Sequence, residues 1–300
     1  QVVMQLKRRF VQAAVVVGAL AFAVNAATDE RADYETWRAE RLARLTQPLG
    51  WLSLTGLHFL KPGINTIGSD PANTVVLRAG PEKLGTIDLR DGRYLLTATP
   101  EMGIRVDGKN VGEIELNDDS QGALNVIEFG AQRASIVKRG EPALRVRDPD
   151  APSRLRFRGL EYFDYDPSWA VDARFEAHPP GRVIEITTVI GTIEKNANPG
   201  RVVFSHGGES YALEAIREAD SDALFLIVAD ATNARDTYGA GRFVYAPLPI
   251  NDRVRIDFNR LYNPPCAFTE FSTCPLPPLS NRLRTRIVAG EKRYIAHEET

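Results

Sequence analysis

Cysteine is scarce in this sequence: Cys266 and Cys274 are the two among 300 residues. That excludes a disulfide-dense scaffold. Structural zinc is a poor fit, because it takes cysteine or histidine pairs about two to four positions apart plus two further ligands. The CxxC spacing of a thioredoxin-like motif is missing as well. Histidine numbers four, His58, His178, His206 and His297, and none belongs to a motif that would make it a catalytic base. No metal is expected, and no cofactor is identifiable. An excess of one charge is also absent. Lys and Arg total 37 against 39 Asp and Glu, a formal net charge of −2, which offers no basic face to nucleic acid or to an anionic membrane. Low-complexity tracts and exact internal repeats are lacking.

What is present begins with a leader pattern. Lys7, Arg8 and Arg9 precede the uncharged run FVQAAVVVGALAFAV at 10–24. That run is shorter than the ~20 residues a membrane span takes. Val24, Asn25 and Ala26 place small residues at a cleavage point, so residues 1–26 read as a signal peptide cut after Ala26. The mature protein is expected to be periplasmic or secreted, in an oxidising compartment, with no membrane span. Apolar residues make up 43% and charged residues 25%, ordinary globular proportions.

Residues 29–47, DERADYETWRAERLARLTQ, carry apolar positions Tyr34, Trp37, Leu42 and Leu45 at helical spacing. The stripe is expected to pack across the first domain. After Gly50 the pattern turns to short strands, among them INTIG, YLLTAT, RASIVKR and ALRVRD, several alternating apolar and polar residues. DGR at 91–93 and DGK at 107–109 are hairpin signals. A polar, Pro-bearing hinge near 148–168 leads to a second series that includes RVIEITTVIGTIEKN, ALFLIVAD, GRFVYAPL and RVRIDFN. The expected fold class is all-β. An N-terminal helix and a β-sandwich occupy 27–150, and a β-barrel-like domain occupies 151–300, closed by the Pro/Cys loop 262–282.

LKPGINTIGSDPANTVVL at 60–77, IRVDGK at 104–109 and NVIEFG at 125–130 resemble the order of elements in a forkhead-associated (FHA) domain. The resemblance implies an FHA-like sandwich. Phosphothreonine recognition does not carry over, since Ser69 stands where the family's arginine would be and RAGPEKLG lacks its serine and histidine. The second half, with ADATNARDTYGAGRFVYAPLP, RIDFNRLYNPPCAFTEFSTCPLPP and NRLRTRIVAGEK, resembles the bacterial and archaeal family called domain of unknown function 1684, over about residues 34–293. That resemblance implies no activity.

Candidate site residues come from the approach to the Pro/Cys loop. Cys266 and Cys274 are expected to form a disulfide in an oxidising compartment; the alternative, a Cys266 thiolate nucleophile, lacks a nearby base. Asp230, Tyr238 and Arg242 cluster just before RVRIDFN, and Asp257, Asn259, Tyr262 and Asn263 follow. Asp257 and Asn259 share one face of a strand. Read as a site, Asp257 or Asp230 is the acid/base and Arg242 the anion clamp. Asn259, Tyr238, Tyr262 and Asn263 then line a concavity for a small polar ligand, which the domain binds and hydrolyses. Read structurally, the same residues tie down buried backbone. The alternative function is a non-catalytic envelope interaction module.

Overall fold

The computed structural model describes residues 30–219 and 221–295; the expected leader, 1–26, lies outside them. The chain is mostly β. One sheet runs in the order β1 (Leu54–Phe59), β11 (Glu141–Arg147), β10 (Gln132–Arg139), β9 (Ile127–Phe129), β6 (Arg105–Val106), β7 (Lys109–Asn110). A second runs β3 (Val75–Val76), β2 (Gly63–Gly68), β4 (Gly85–Arg90), β5 (Arg93–Ala98), β8 (Glu113–Leu116). Their inward residues, including Ile67, Ile87, Leu96, Val106, Ile136 and Leu144, form one core. The hairpin signals are where expected. Asp91 and Gly92 turn β4 into β5, Asp107 and Gly108 turn β6 into β7, and all four have positive φ, the conformation such a turn requires.

A third sheet follows the order β17 (Arg242–Pro247), β16 (Ala223–Val228), β15 (Glu209–Arg217), β14 (Ile193–His206), β12 (Ala170–Ala177), β18 (Arg253–Asp257), with β13 (Val183–Thr187) also paired to β14. It curls into a nearly closed barrel. Just beyond β18, Tyr262 and Phe243 of β17 exchange backbone hydrogen bonds of 2.9 Å each way, so the sheet's two edges meet. Its core includes Phe175, Phe204, Leu226, Ile256 and Phe258.

Strand alternation decides what lies between these parts. In β11, Leu144 and Val146 enter the first core. Ala143, Arg145 and Arg147 therefore point to the other face of the sheet, yet Ala143 and Arg145 are buried too. On neighbouring β10, Ser135 and Val137 pair with Arg145 and Ala143 and are likewise buried. The Pro/Cys loop covers that face: Thr273 receives hydrogen bonds from Arg139 and Arg145.

The described part of the first helix, α1, covers residues 30–45. Its inward stripe is Tyr34, Trp37, Arg41 and Leu45, while Leu42 is exposed. The stripe lies mainly on the second half of the chain, with Leu45 alone clustering with Leu52 of the first half as well as with Phe268. Tyr34 packs on Tyr165, Trp37 meets Tyr162 edge-on, and Arg41 pairs with Glu291 at 2.8 Å. The aromatic segment after the hinge explains this, because it presents tyrosine faces to the helix, and Arg38 sits 4.3 Å over the Tyr162 ring.

Candidate functional site

Arg242 opens β17 with its guanidinium fully buried. Its Nη2 donates to Asp230 Oδ2 and to the Ile287 carbonyl, both at 3.0 Å, and its Nη1 donates to the carbonyls of Ala289 and Glu291. Asp230 Oδ1 accepts from the Thr232 amide and hydroxyl and from the Ile287 amide. The pair thus fastens the segment 287–291 to the barrel. Burial pushes the Arg242 guanidinium below its ordinary pKa, and Asp230 opposes that.

Asp257 caps the short turn Phe258–Arg260. Its Oδ1 accepts from the Asn259 amide at 3.0 Å and from Asn259 Nδ2 at 2.9 Å, and Oδ2 accepts from Arg260. Asn259 also donates to the Asp166 carbonyl and accepts from its amide. Asn263, wholly buried, holds the Lys292 carbonyl and the Glu291 carboxylate. Tyr238 donates to the Cys266 carbonyl, and burial pushes its phenol up to about 12. The structure therefore brings Asp230 to Arg242 and Asp257 to Asn259, and each of these groups serves a backbone tie.

The expected disulfide is absent. Cys266 and Cys274 stand side by side as free thiols. Each sulfur accepts from the other's backbone amide, at 3.2 and 3.1 Å, and the Ser272 hydroxyl donates to Cys266 Sγ at 3.0 Å. The loop is held without a covalent staple. Val189 N–H reaches the Cys274 carbonyl, Leu276 N–H reaches Thr187, and Asn281 Nδ2 bonds the carbonyls of Glu214 and Ile227.

The concavity lies elsewhere. A cavity of about 480 Å³ opens between the outer face of β10–β11 and the β16–β17 end of the barrel. Arg139 and Arg145 come from the first sheet. Phe225, Phe243 and Tyr245 come from the barrel, Arg41 from α1, and Tyr262, Ser272, Thr273 and Cys274 from the loop. A second hollow shares Arg41, Trp51, Tyr245 and Tyr262 with it and adds Arg147. Its aromatic wall is continuous: Phe225 stacks on Tyr245 at 4.9 Å, and Tyr245 on Tyr262 at 6.5 Å. The Tyr245 hydroxyl donates to Glu218, and Arg41 lies 4.8 Å over the Tyr262 ring. Such a volume and mixed lining suit a small ligand. Of the residues singled out from sequence, Tyr262 and Cys274 face this cavity. Arg145 and Arg147 were missed, because arginine alternating with Leu144 and Val146 reads as the solvent face of a strand. Among the described residues no cluster of three His, Cys, Asp or Glu could hold a metal ion.

No curated protein matches the chain. Among solved structures, it is similar to the solution NMR structure of an uncharacterized protein from Haloarcula marismortui. The identity is 32%, the match covers 48% of this chain and 81% of that one, and the TM-score is 0.41. The family model described as "Protein of unknown function (DUF1684)" matches residues 155–292, a shorter span than the motifs led us to expect. Through that segment, the chain is similar to the DUF1684 family of unknown function.

Proposed function

We propose that this is an exported protein that binds a small polar ligand in the cavity between β10–β11, the barrel and the Pro/Cys loop. The observation that carries the reading is convergence. Residues far apart in sequence, Arg41, Arg145, Tyr245, Tyr262 and Thr273, line one space. Aromatic faces form one wall and hydrogen-bond donors another, the lining of a ligand pocket. No hydrolytic step is assigned, because the carboxylates of Asp230 and Asp257 serve neighbouring residues. A ligand-observed NMR screen of neutral and charged aromatic fragments against the exported chain tests the proposal. Hits should weaken in Tyr245→Ala, which strips the wall at a side chain that is 43% exposed. A screen without hits, or hits indifferent to Tyr245→Ala, removes the reading.

The first two sheets form, in this proposal, an FHA-like sandwich without phosphothreonine recognition. Ser69 supports this. Its hydroxyl donates to the Gly80 carbonyl at 2.9 Å and its amide to Pro81, so it holds a loop and brings no guanidinium for a phosphate. Titration with a phosphothreonine peptide library should show no saturable binding. Export rests on the leader pattern, and the mature N-terminus in the periplasm should be Ala27 by mass spectrometry.

A further inference from the structure

Arg145 is 4% exposed. Its Nη2 donates to Thr273 Oγ1 at 3.4 Å, its Nε has no partner, and no carboxylate pairs with it among the described residues. A guanidinium stays protonated in proteins. This is therefore a buried cation with no carboxylate paired to it. Asp119 and the two cysteines act on it only without a direct contact, and a buried charge favours a paired counterion. Burial, with the like charges of Arg139 and Arg147, pushes its pKa down to about 10.

Its hydrogen-bond partner on the cavity side can also donate. Thr273 Oγ1 accepts from Arg139 Nε at 3.1 Å as well as from Arg145. With both lone pairs engaged, the hydroxyl hydrogen is left to donate. Arg139 itself is balanced by Asp119 at 2.7 Å, and Arg41 by Glu291 at 2.8 Å. Two carboxylates, Glu194 and Glu218, also line the cavity, and Glu218 accepts from Tyr245.

We propose that Arg145, with Thr273 and Arg139, binds the oxyanion of the ligand, a carboxylate or phosphate group, whose remainder lies along Phe225, Tyr245 and Tyr262. The inference rests on the ligand-binding reading above and names the chemical class of that ligand. The guanidinium fork matches a carboxylate or phosphate edge, and the bound anion supplies a directly paired counter-charge that no side chain provides among the described residues.

The test is isothermal titration of the exported chain with inorganic phosphate, benzoate and neutral benzamide, repeated on Arg145→Met and Thr273→Val. Benzoate or phosphate should bind saturably. Arg145→Met should weaken that binding by about tenfold or more, the scale of a lost charge-assisted fork. Thr273→Val should weaken it by less. Arg145→Met should also leave the thermal midpoint unchanged or raised in anion-free buffer, since it removes an uncompensated buried charge. A lowered midpoint would mark Arg145 as a structural tie and overturn the inference. Benzamide binding as tightly as benzoate, unchanged in both variants, would overturn it too while leaving the cavity as a ligand site. Absence of binding by both anions would also overturn it. If Arg145→Met fails to fold, undiminished anion binding by Thr273→Val counts against the site.

Discussion

Asp230 and Arg242 form an ion pair at 3.0 Å with neither side chain exposed to solvent. Every acceptor that Arg242 reaches other than Asp230 is a backbone carbonyl of 287–291. The pair therefore holds the segment 287–291 against the barrel, where otherwise those carbonyls would be buried unbonded.

Removing one partner should be costly. Asp230→Ala leaves a buried guanidinium without its counter-charge, and the expected loss is about 3–5 kcal/mol. Chemical denaturation of the variant measures it. A stability change within experimental scatter, with ligand binding abolished, would return Asp230 to the role of a catalytic group.

Asp257 is a smaller case. Asp257→Ala should cost about 1 kcal/mol, the ordinary worth of a helix cap. Asp257→Asn should cost less, because its amide oxygen still accepts from the Asn259 amide. Thermal melts should show shifts of about 2–4 °C for the alanine variant. Fragment binding in the cavity should be unaffected by either change.

The β-rich fold was legible because its signals are local. Alternation along YLLTAT and the Asp-Gly turns at 91–92 and 107–108 need no knowledge of distant residues. The cavity was not legible. Arg145 and Arg147 alternate with Leu144 and Val146 as any half-exposed strand does, and only the packing of the Pro/Cys loop onto β11 buries one of them. The density of polar residues at 230–242 and 257–263 left two readings open for a related reason. Composition shows how many hydrogen-bonding groups a segment has but not whether they serve a ligand or one another. Leu42 failed similarly, since Arg41 takes the inward position by pairing with Glu291, a residue at the far end of the chain.

The thiols give a pH prediction. The adjacent Cys274 side chain is the chief cause that holds Cys266 down at about 6. Burial opposes the shift, while the Ser272 hydroxyl, the Cys274 amide and the Arg145 charge assist it. Cys274 is correspondingly pushed up. The thiolate is the reactive form. Alkylation of Cys266 by iodoacetamide should therefore rise with pH and level off with a midpoint near 6, well below that of a free cysteine. Cys274→Ala should move the midpoint upward. The stabilisation tied to this shift is lost as pH falls through the lowered Cys266 value, and above the ordinary thiol range the raised Cys274 thiol offsets it. A wild-type midpoint in the ordinary thiol range would remove the argument.

Arg41 links the helix to the cavity. It donates to the buried carboxylate of Glu291 and to the Asn263 carbonyl, and it lies over the Tyr262 ring. Arg41→Met keeps a stem of similar reach but strands the Glu291 carboxylate, whose remaining side-chain bond is from the Asn263 amide. The cost should be about 3–5 kcal/mol, and its location is the sharper expectation. Helix α1 rests on the second half through a narrow stripe, so the loss should appear as local opening. Hydrogen exchange should quicken across residues 30–45 and around Tyr262, while the β4–β5 hairpin keeps its protection. Fragment binding should weaken at the same time, because the ring that Arg41 holds forms part of the cavity wall. Uniform acceleration throughout the chain would show instead that the ion pair supports the whole fold and has no particular bearing on the cavity.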